Sequence, residues 1–290
     1  MALKTRSDII GAVADAFGGF RRVVATGGST TTIVDAANLM EPDSYWVGHY
    51  AYVVTDAGGL HAAPEGQERP VVGYDLSAAT LTVSPAFTMA IGAGDVCALA
   101  QERRTVFESA INEAIRAAEM TWLVFSSNEA IVLDEDDYEY ALPAGLVTLN
   151  RVLVRAEDTE PWMDVPASNW RVTGLPGAQE LVFNSWNGLS EDYTLRIEYY
   201  ARPAEMATDT ATLGVGEPME REMVRFVTLY ALYWLHDRAA NKNESAATFQ
   251  VHYTKSDSYL KLAMDVKARA AGSWREAGRI HTARPSRARG

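Results

Sequence analysis

The sequence predicts an α+β protein: a bundle of about four helices with two antiparallel β units, a small barrel and a sandwich, inserted between them. Three observations carry this. The apolar period switches from helical to strand spacing and back twice along the chain. Turn residues punctuate both strand-rich blocks at short intervals. The C-terminal third then returns to long helical runs. With 290 residues, 48% of them hydrophobic, the chain exceeds the size at which one core comfortably grows and can bury more than one.

The first helix is read over Thr5 to Phe17, where Ile9, Ile10, Val13 and Phe17 recur at helical spacing, and it stops at Gly18-Gly19. From Arg21 to Gln101 the stretches RRVVAT, TTTIVDA, YAYVVTD, RPVVGYD, ATLTVS and DVCALA read as six short antiparallel strands of a small barrel or sandwich. Thr105 and Glu108 have capping-box spacing, and Phe107, Ile111, Ile115, Ala118 and Trp122 follow on one helical face. Between Trp122 and Arg202 the stretches YEYALP, LVTLNRVLVR, NWRVTG, ELVFNS and YTLRIEYYARP predict a sandwich of about five strands.

Pro218 suits a first helical turn, and Met223, Val227, Tyr230 and Trp234 make a stripe. The run FVTLYALYWL is apolar nearly all round, so this helix is expected to be buried on several sides or to pack against another chain. A last helix over about Ser245 to Ala270 carries Phe249, Tyr253, Leu260 and Met264 on one face, and pairs antiparallel with its predecessor through a turn near Asn241 to Asn243. The expected segments are 1–18 (bundle helix), 19–104 (barrel-like insert), 105–121 (bundle helix), 122–203 (sandwich insert), 204–274 (helix pair) and 275–290 (basic flexible tail).

Composition excludes several functions. Asp plus Glu outnumber Lys plus Arg by 38 to 26, a net charge of -12, so a general nucleic-acid grip is not expected and any basic site must be local. That local site is the tail, where Arg275, Arg279, Arg284, Arg287 and Arg289 face only Glu276 and the last 16 residues carry a formal +4. A mobile basic tail on an acidic body can bind phosphates or lie in an acidic groove of a neighbouring copy or partner ring, and the acidic body favours the groove. Cys97 is the single cysteine, expected as a buried small hydrophobe, so no internal disulfide can form. No signal peptide is expected, because the N-terminus lacks a continuous apolar stretch followed by a small-residue cleavage site, and no membrane span, because no run approaches the roughly 20 apolar residues that cross a bilayer.

No residue is nominated as catalytic or metal-binding, and no cofactor is expected. Gly27-Gly28-Ser29-Thr30 lacks the Lys of a phosphate loop and reads as a hairpin turn. The five histidines lack metal-ligand spacing, although His236 and His252 can meet across the helix pair as interhelical polar residues. Asp134, Glu135, Asp136 and Asp137 lack the Gly and terminal Glu of a calcium loop and read as a solvated or inter-subunit turn.

The second half resembles the head-to-tail adaptor (connector) proteins of tailed bacteriophages. The resemblance rests on Tyr140-Ala141-Leu142-Pro143, LNRVLVR, the aromatic stretch through Trp162 and Trp170, YTLRIEYYARP and FVTLYALYWLHD. The first half is similar to a small β module of phage neck and tail proteins, with ATGGSTTTIVD, Trp46-Val47-Gly48 and Gly94-Asp95. The resemblance implies a non-enzymatic virion protein of the head-tail neck, made in the host cytoplasm. It implies a homo-oligomeric ring, typically a dodecamer, with the portal above, a tail, stopper or nozzle protein below, and DNA passing without specific binding or membrane contact. It also implies that the C-terminal segment, here matched by position and charge at Arg275, Arg279, Arg284, Arg287 and Arg289, engages the portal. Phe226, Tyr230, Tyr233 and Trp234 are the inter-subunit packing residues expected from the apolar helix. The two β inserts depart from the smallest adaptors. A carbohydrate-binding or adhesion module of the tail tip or collar, using Trp162, Trp170 and Trp186 as stacking platforms, is the alternative, and a hydrolase acting on cell wall or capsule has only the surplus of carboxylates behind it.

Overall fold

The computed structural model describes residues 4–281, apart from 59–63, 119–120, 135–136, 144, 158, 176, 185–191, 216–218 and 243–244, and gives the backbone alone for residues 246 and 272–281. The chain divides into two units: residues 1–114, 206–212 and 224–266, and residues 115–205, 213–223 and 267–290.

In the first unit, α1 (Arg6–Phe17) opens on a capping box that pattern reading passed over. Thr5 Oγ1 accepts from the Asp8 N–H at 3.3 Å, and the Asp8 carboxylate accepts from the Thr5 N–H at 3.0 Å. Ile9, Ile10 and Val13 are buried, and the helix ends at Gly18 and Gly19 with φ of 119° and 71°. Seven strands follow: β1 (Arg21–Val24), β2 (Gly27–Gly28), β3 (Thr32–Val34), β4 (Tyr50–Thr55), β5 (Glu68–Asp75), β6 (Thr80–Val83) and β7 (Val96–Ala100). All six predicted strands are present. Gly27 and Gly28 form the additional β2, and the turn lies beyond them, where Ser29 N donates to Thr32 O at 3.0 Å. Only glycine fits at 28, since a Cβ there would overlap the Thr32 carbonyl oxygen.

The expected closed barrel is not formed. The strands make one open antiparallel sheet in the order β1-β7-β4-β5-β6-β3-β2. The chain changes partner between β1 and β2: Ala25 N donates to Asp95 O beside β7, whereas Thr26 N donates to Val34 O beside β3. The terminal strands therefore share no ladder. The sheet's core gathers Trp46, Ile33, Leu39, Leu81, Ile91, Cys97 and Leu99.

α2 (Arg104–Ala118) starts one residue too early for the predicted capping box. Thr105 is already helical, and the Arg104 N–H is satisfied by Glu68 Oε1, reaching over from β5 at 2.6 Å. α3 (Met219–Lys242) and α4 (Ala246–His281) complete the helices. Phe17 on α1 meets rings from the other three, with centroids 6.4 Å from Phe107, 4.8 Å from His236 and 6.4 Å from His252. α4 runs past the predicted stop at Ala270, so residues 275–281 of the expected flexible tail are helical. No proline intervenes before Pro285, and Ala, Arg and Glu sustain the helix across Gly272 and Gly278.

The second unit holds β8 (Val124–Val132), β9 (Glu139–Ala141), β10 (Leu146–Arg155), β11 (Met163–Asp164), β12 (Trp170–Leu175), β13 (Ala178–Phe183) and β14 (Thr194–Ala201). They form two antiparallel sheets, β11-β10-β14-β8 and β12-β13-β9, rather than about five strands. Both sheets contribute to one core, with Val152, Val154, Leu195 and Ile197 from the first and Tyr140, Leu181 and Phe183 from the second. The five predicted strands are all found. β8 escaped prediction because VFSSNEAIV lacks a clean apolar alternation, and β11 because it is two residues long.

Residues 206–212 form a strap within the first unit. Arg6 N donates to Ala211 O and Ser7 N to Asp209 O, and Thr5 bridges to Thr212. Met206 N donates to Asn112 Oδ1 on α2 at 3.0 Å. At the centre, Asp209 pairs with Arg6 at 2.8 Å and with Arg104, and accepts from Tyr52 Oη on β4. Arg6 and Arg104 also share Glu108, at 3.1 and 3.0 Å, and both side chains are only 12% exposed. Burial alone would raise the Asp209 carboxyl, but the hydrogen bond from Arg6 and the two guanidinium charges outweigh it and hold it below its usual range. Replacing Asp209 by Ala leaves two largely buried guanidinium groups short of a partner. The expected cost is about 2 kcal/mol, below the full penalty of a broken buried pair because Asp209 is partly exposed, read as a lower urea midpoint by circular dichroism.

Candidate assembly surfaces

The middle of α3 is covered, while Arg221, Arg225, Asn241 and Lys242 toward its ends are exposed. From Phe226 to Ala240 no residue is exposed. Phe226 is fully buried within its own chain, while Tyr230, Tyr233 and Trp234 are each half-buried. Their rings form a ladder, with Phe226 to Tyr230 at 5.6 Å and Tyr230 to Tyr233 at 5.2 Å, and the Arg238 guanidinium lies 5.5 Å from the Trp234 ring. Phe226 thus backs the ladder rather than presenting a surface.

α4 buries a different stripe from its large apolar one. Ser256, Ala263, Val266 and Ala270 are buried, with His252 and Tyr259 half-buried at the same three- and four-residue spacing. Small residues there permit close approach to neighbouring helices. Phe249, Tyr253 and Met264 are 39%, 54% and 41% exposed, and the Phe249 and Tyr253 rings stack at 5.8 Å. The apolar spacing of this helix was legible, but it marks the outward face.

The two histidines expected to meet do so: His236 Nδ1 and His252 Nδ1 are 2.9 Å apart. Such a bond needs one protonated and one bare nitrogen, so the pair cannot carry two charges without breaking it. His236 also stacks on Tyr259 at 5.5 Å. Burial, followed by the nearby His252 and the Lys255 charge, lowers His236 to about 4, and burial with Lys255 lowers His252 as well.

The remaining candidates resolve into structural roles. Tyr140 Oη accepts from Asp134 N at 2.9 Å and lies 2.8 Å from Asp137 O, so it clamps the described ends of the acidic run as a turn, and residues 135–136 lie outside the described residues. Among the described residues no group of three His, Cys, Asp or Glu is placed to hold a metal. Trp162 is covered by the Arg155 guanidinium, 4.4 Å from its ring, with Arg196 at 5.7 Å. Trp170 donates to Val165 O at 3.2 Å and packs on the sandwich core, and Trp186 lies outside the described residues. Cys97 is buried, its thiol pushed up to about 12 by burial and then by Asp95. No described helix is long and apolar enough to cross a membrane.

Of the basic residues nominated in the tail, Arg275 and Arg279 belong to the helical backbone of α4, and Arg284, Arg287 and Arg289 lie outside the described residues. Charge is nonetheless segregated along the chain. Residues 122–203 hold fourteen acidic and five basic residues, whereas residues 246–290 hold nine basic and three acidic.

Among the described residues the chain thus presents a covered aromatic helix, an outward aromatic stripe on α4 and no cluster placed to hold a metal. Comparison with known families gives the particular kind. The model of the SU10 adaptor protein family matches residues 89–280, more than half of the chain, and the chain belongs to that family of phage adaptor proteins. No curated protein matches it.

The histidine pair generates a pH prediction. An unfolded histidine titrates near 6.5 and the folded pair below that, so the pair's contribution is fully present above about pH 6.5 and is lost as pH falls toward 4. Urea midpoints should fall between pH 7.5 and 5 by an amount equivalent to roughly 2 kcal/mol, and a His236→Phe/His252→Phe variant should lose less over the same interval.

Proposed function

We propose that the chain is the ring-forming subunit that joins the portal to the tail and lengthens the DNA channel. Copies close a ring, with the exposed parts of Tyr230, Tyr233 and Trp234 packing between subunits over Phe226. Arg275, Arg279, Arg284, Arg287 and Arg289 engage the portal, and a tail or stopper ring binds below. The observation that carries this reading is membership of the SU10 adaptor family over residues 89–280, together with a basic C-terminal stretch on a chain of net charge -12. An acidic body repels phosphates and lets DNA pass without being gripped. A disc of copies also needs large contacts that close on themselves, which a half-covered aromatic ladder can extend.

The test is the mass of the purified protein by light scattering, alone and mixed with portal rings from the same particle. A portal complex carrying a closed ring of copies is expected. Truncation after Gly272 should leave a folded protein whose portal affinity falls at least tenfold. Unchanged docking by the truncated chain would remove the arginines from the portal contact, and a full-length chain indifferent to the portal would overturn the reading.

A further inference from the structure

We propose that the His236–His252 pair is a proton-operated latch, and that charging both rings frees the first half of α4 from α1 and α3 while the sheet of the first unit stays folded. His252 lies in the second turn of α4, and His236, on α3, is 1% exposed. Their Nδ1 atoms are joined through one proton across 2.9 Å, and His236 Nε2 is buried with no hydrogen-bond partner. Charging both rings removes the bare nitrogen that the bond needs. It also leaves the His236 Nε2–H enclosed without an acceptor.

The surroundings offer no counter-charge. From α1 the side chain that meets both rings is Phe17, which in turn meets Phe107 of α2. From α4 the uncharged phenol of Tyr259 stacks on His236. Lys255, one turn beyond His252, is the charged group that acts on both rings, and its sign is theirs. On α3, Asp237 accepts from Asn241 Nδ2 at 3.3 Å, and Arg238 lies over the Trp234 ring. Among the described residues no carboxylate acts on the pair, so two imidazolium charges repel each other inside an apolar site. The next turns of the buried seam hold Ser256 and Ala263, whose small side chains add little apolar area against that repulsion. Release is favoured as pH falls, because a freed histidine takes its proton near 6.5 and the latched rings take theirs only below that.

The experiment uses the full chain carrying Ser256→Cys, a near-isosteric change at a buried seam position one turn beyond His252. A pyridyl disulfide, which stays reactive in mild acid, labels the thiol, and each rate is divided by that of free cysteine at the same pH. Native Cys97, buried in the sheet core, reports global unfolding in the same sample. Labelling at position 256 should rise at least tenfold between pH 7.5 and 5 while Cys97 stays unlabelled. Adding His236→Gln/His252→Gln, whose amides can bond each other at every pH, should abolish the rise. A His236→Phe/His252→Phe background, which fills the site without a titrating group, should do the same. A rise that persists in either folded background, a flat profile in the Ser256→Cys chain, or Cys97 labelled in step with position 256 would overturn the latch.

Discussion

Asp209 ties three elements of the first unit to one carboxylate. Arg6 starts α1, Arg104 starts α2 and Tyr52 lies on β4, and each reaches this residue. Guanidinium groups at 12% exposure have given up most of their hydration, and only opposed carboxylates with good hydrogen bonds restore it. Glu108 provides the second carboxylate, and Glu68 satisfies the first N–H of α2. The strap thus locks the starts of two helices and one strand in one charged knot, and the apolar helix faces pack from that fixed origin.

The helices show two uses of apolar surface. The run Phe226–Leu235 of α3 is apolar nearly all round and none of it is exposed, which is the physical outcome for a segment lacking a polar side. α4 has a narrow seam of Ser256, Ala263, Val266 and Ala270 that lets helices approach closely, and it leaves its larger side chains outside. Phe249 and Tyr253 are the exposed rings of that outer side, and they stack on each other.

Much of the architecture was legible from local pattern. The strands LVTLNRVLVR and YTLRIEYYARP pair as β10 and β14 because their alternation places Val152, Val154, Leu195 and Ile197 on one side. The meeting of His236 and His252 followed from helix spacing. Other features escaped because their partners are distant in sequence. Glu68 caps a helix that begins 36 residues later, so the nearer Thr105 and Glu108 took its place in the pattern. Asp209 gives no signal in its own neighbourhood, since the arginines it binds lie 203 and 105 residues away. β8 is polar along much of its length and becomes a strand because β14 offers it a ladder.

By itself the sequence determined the class of each segment, the apolar run Phe226–Leu235 and the separation of basic and acidic stretches, because period and charge are local properties. It also carried the resemblance to phage adaptors. Tertiary structure decided that the first sheet stays open, that seven strands rather than five build the second unit, and that the larger apolar face of α4 points outward. Those outcomes depend on which surfaces compete for the same core. A helix with two candidate faces buries the one that fits its neighbours, and the small side chains of Ser256 and Ala263 fit more closely than the rings of Phe249 and Tyr253.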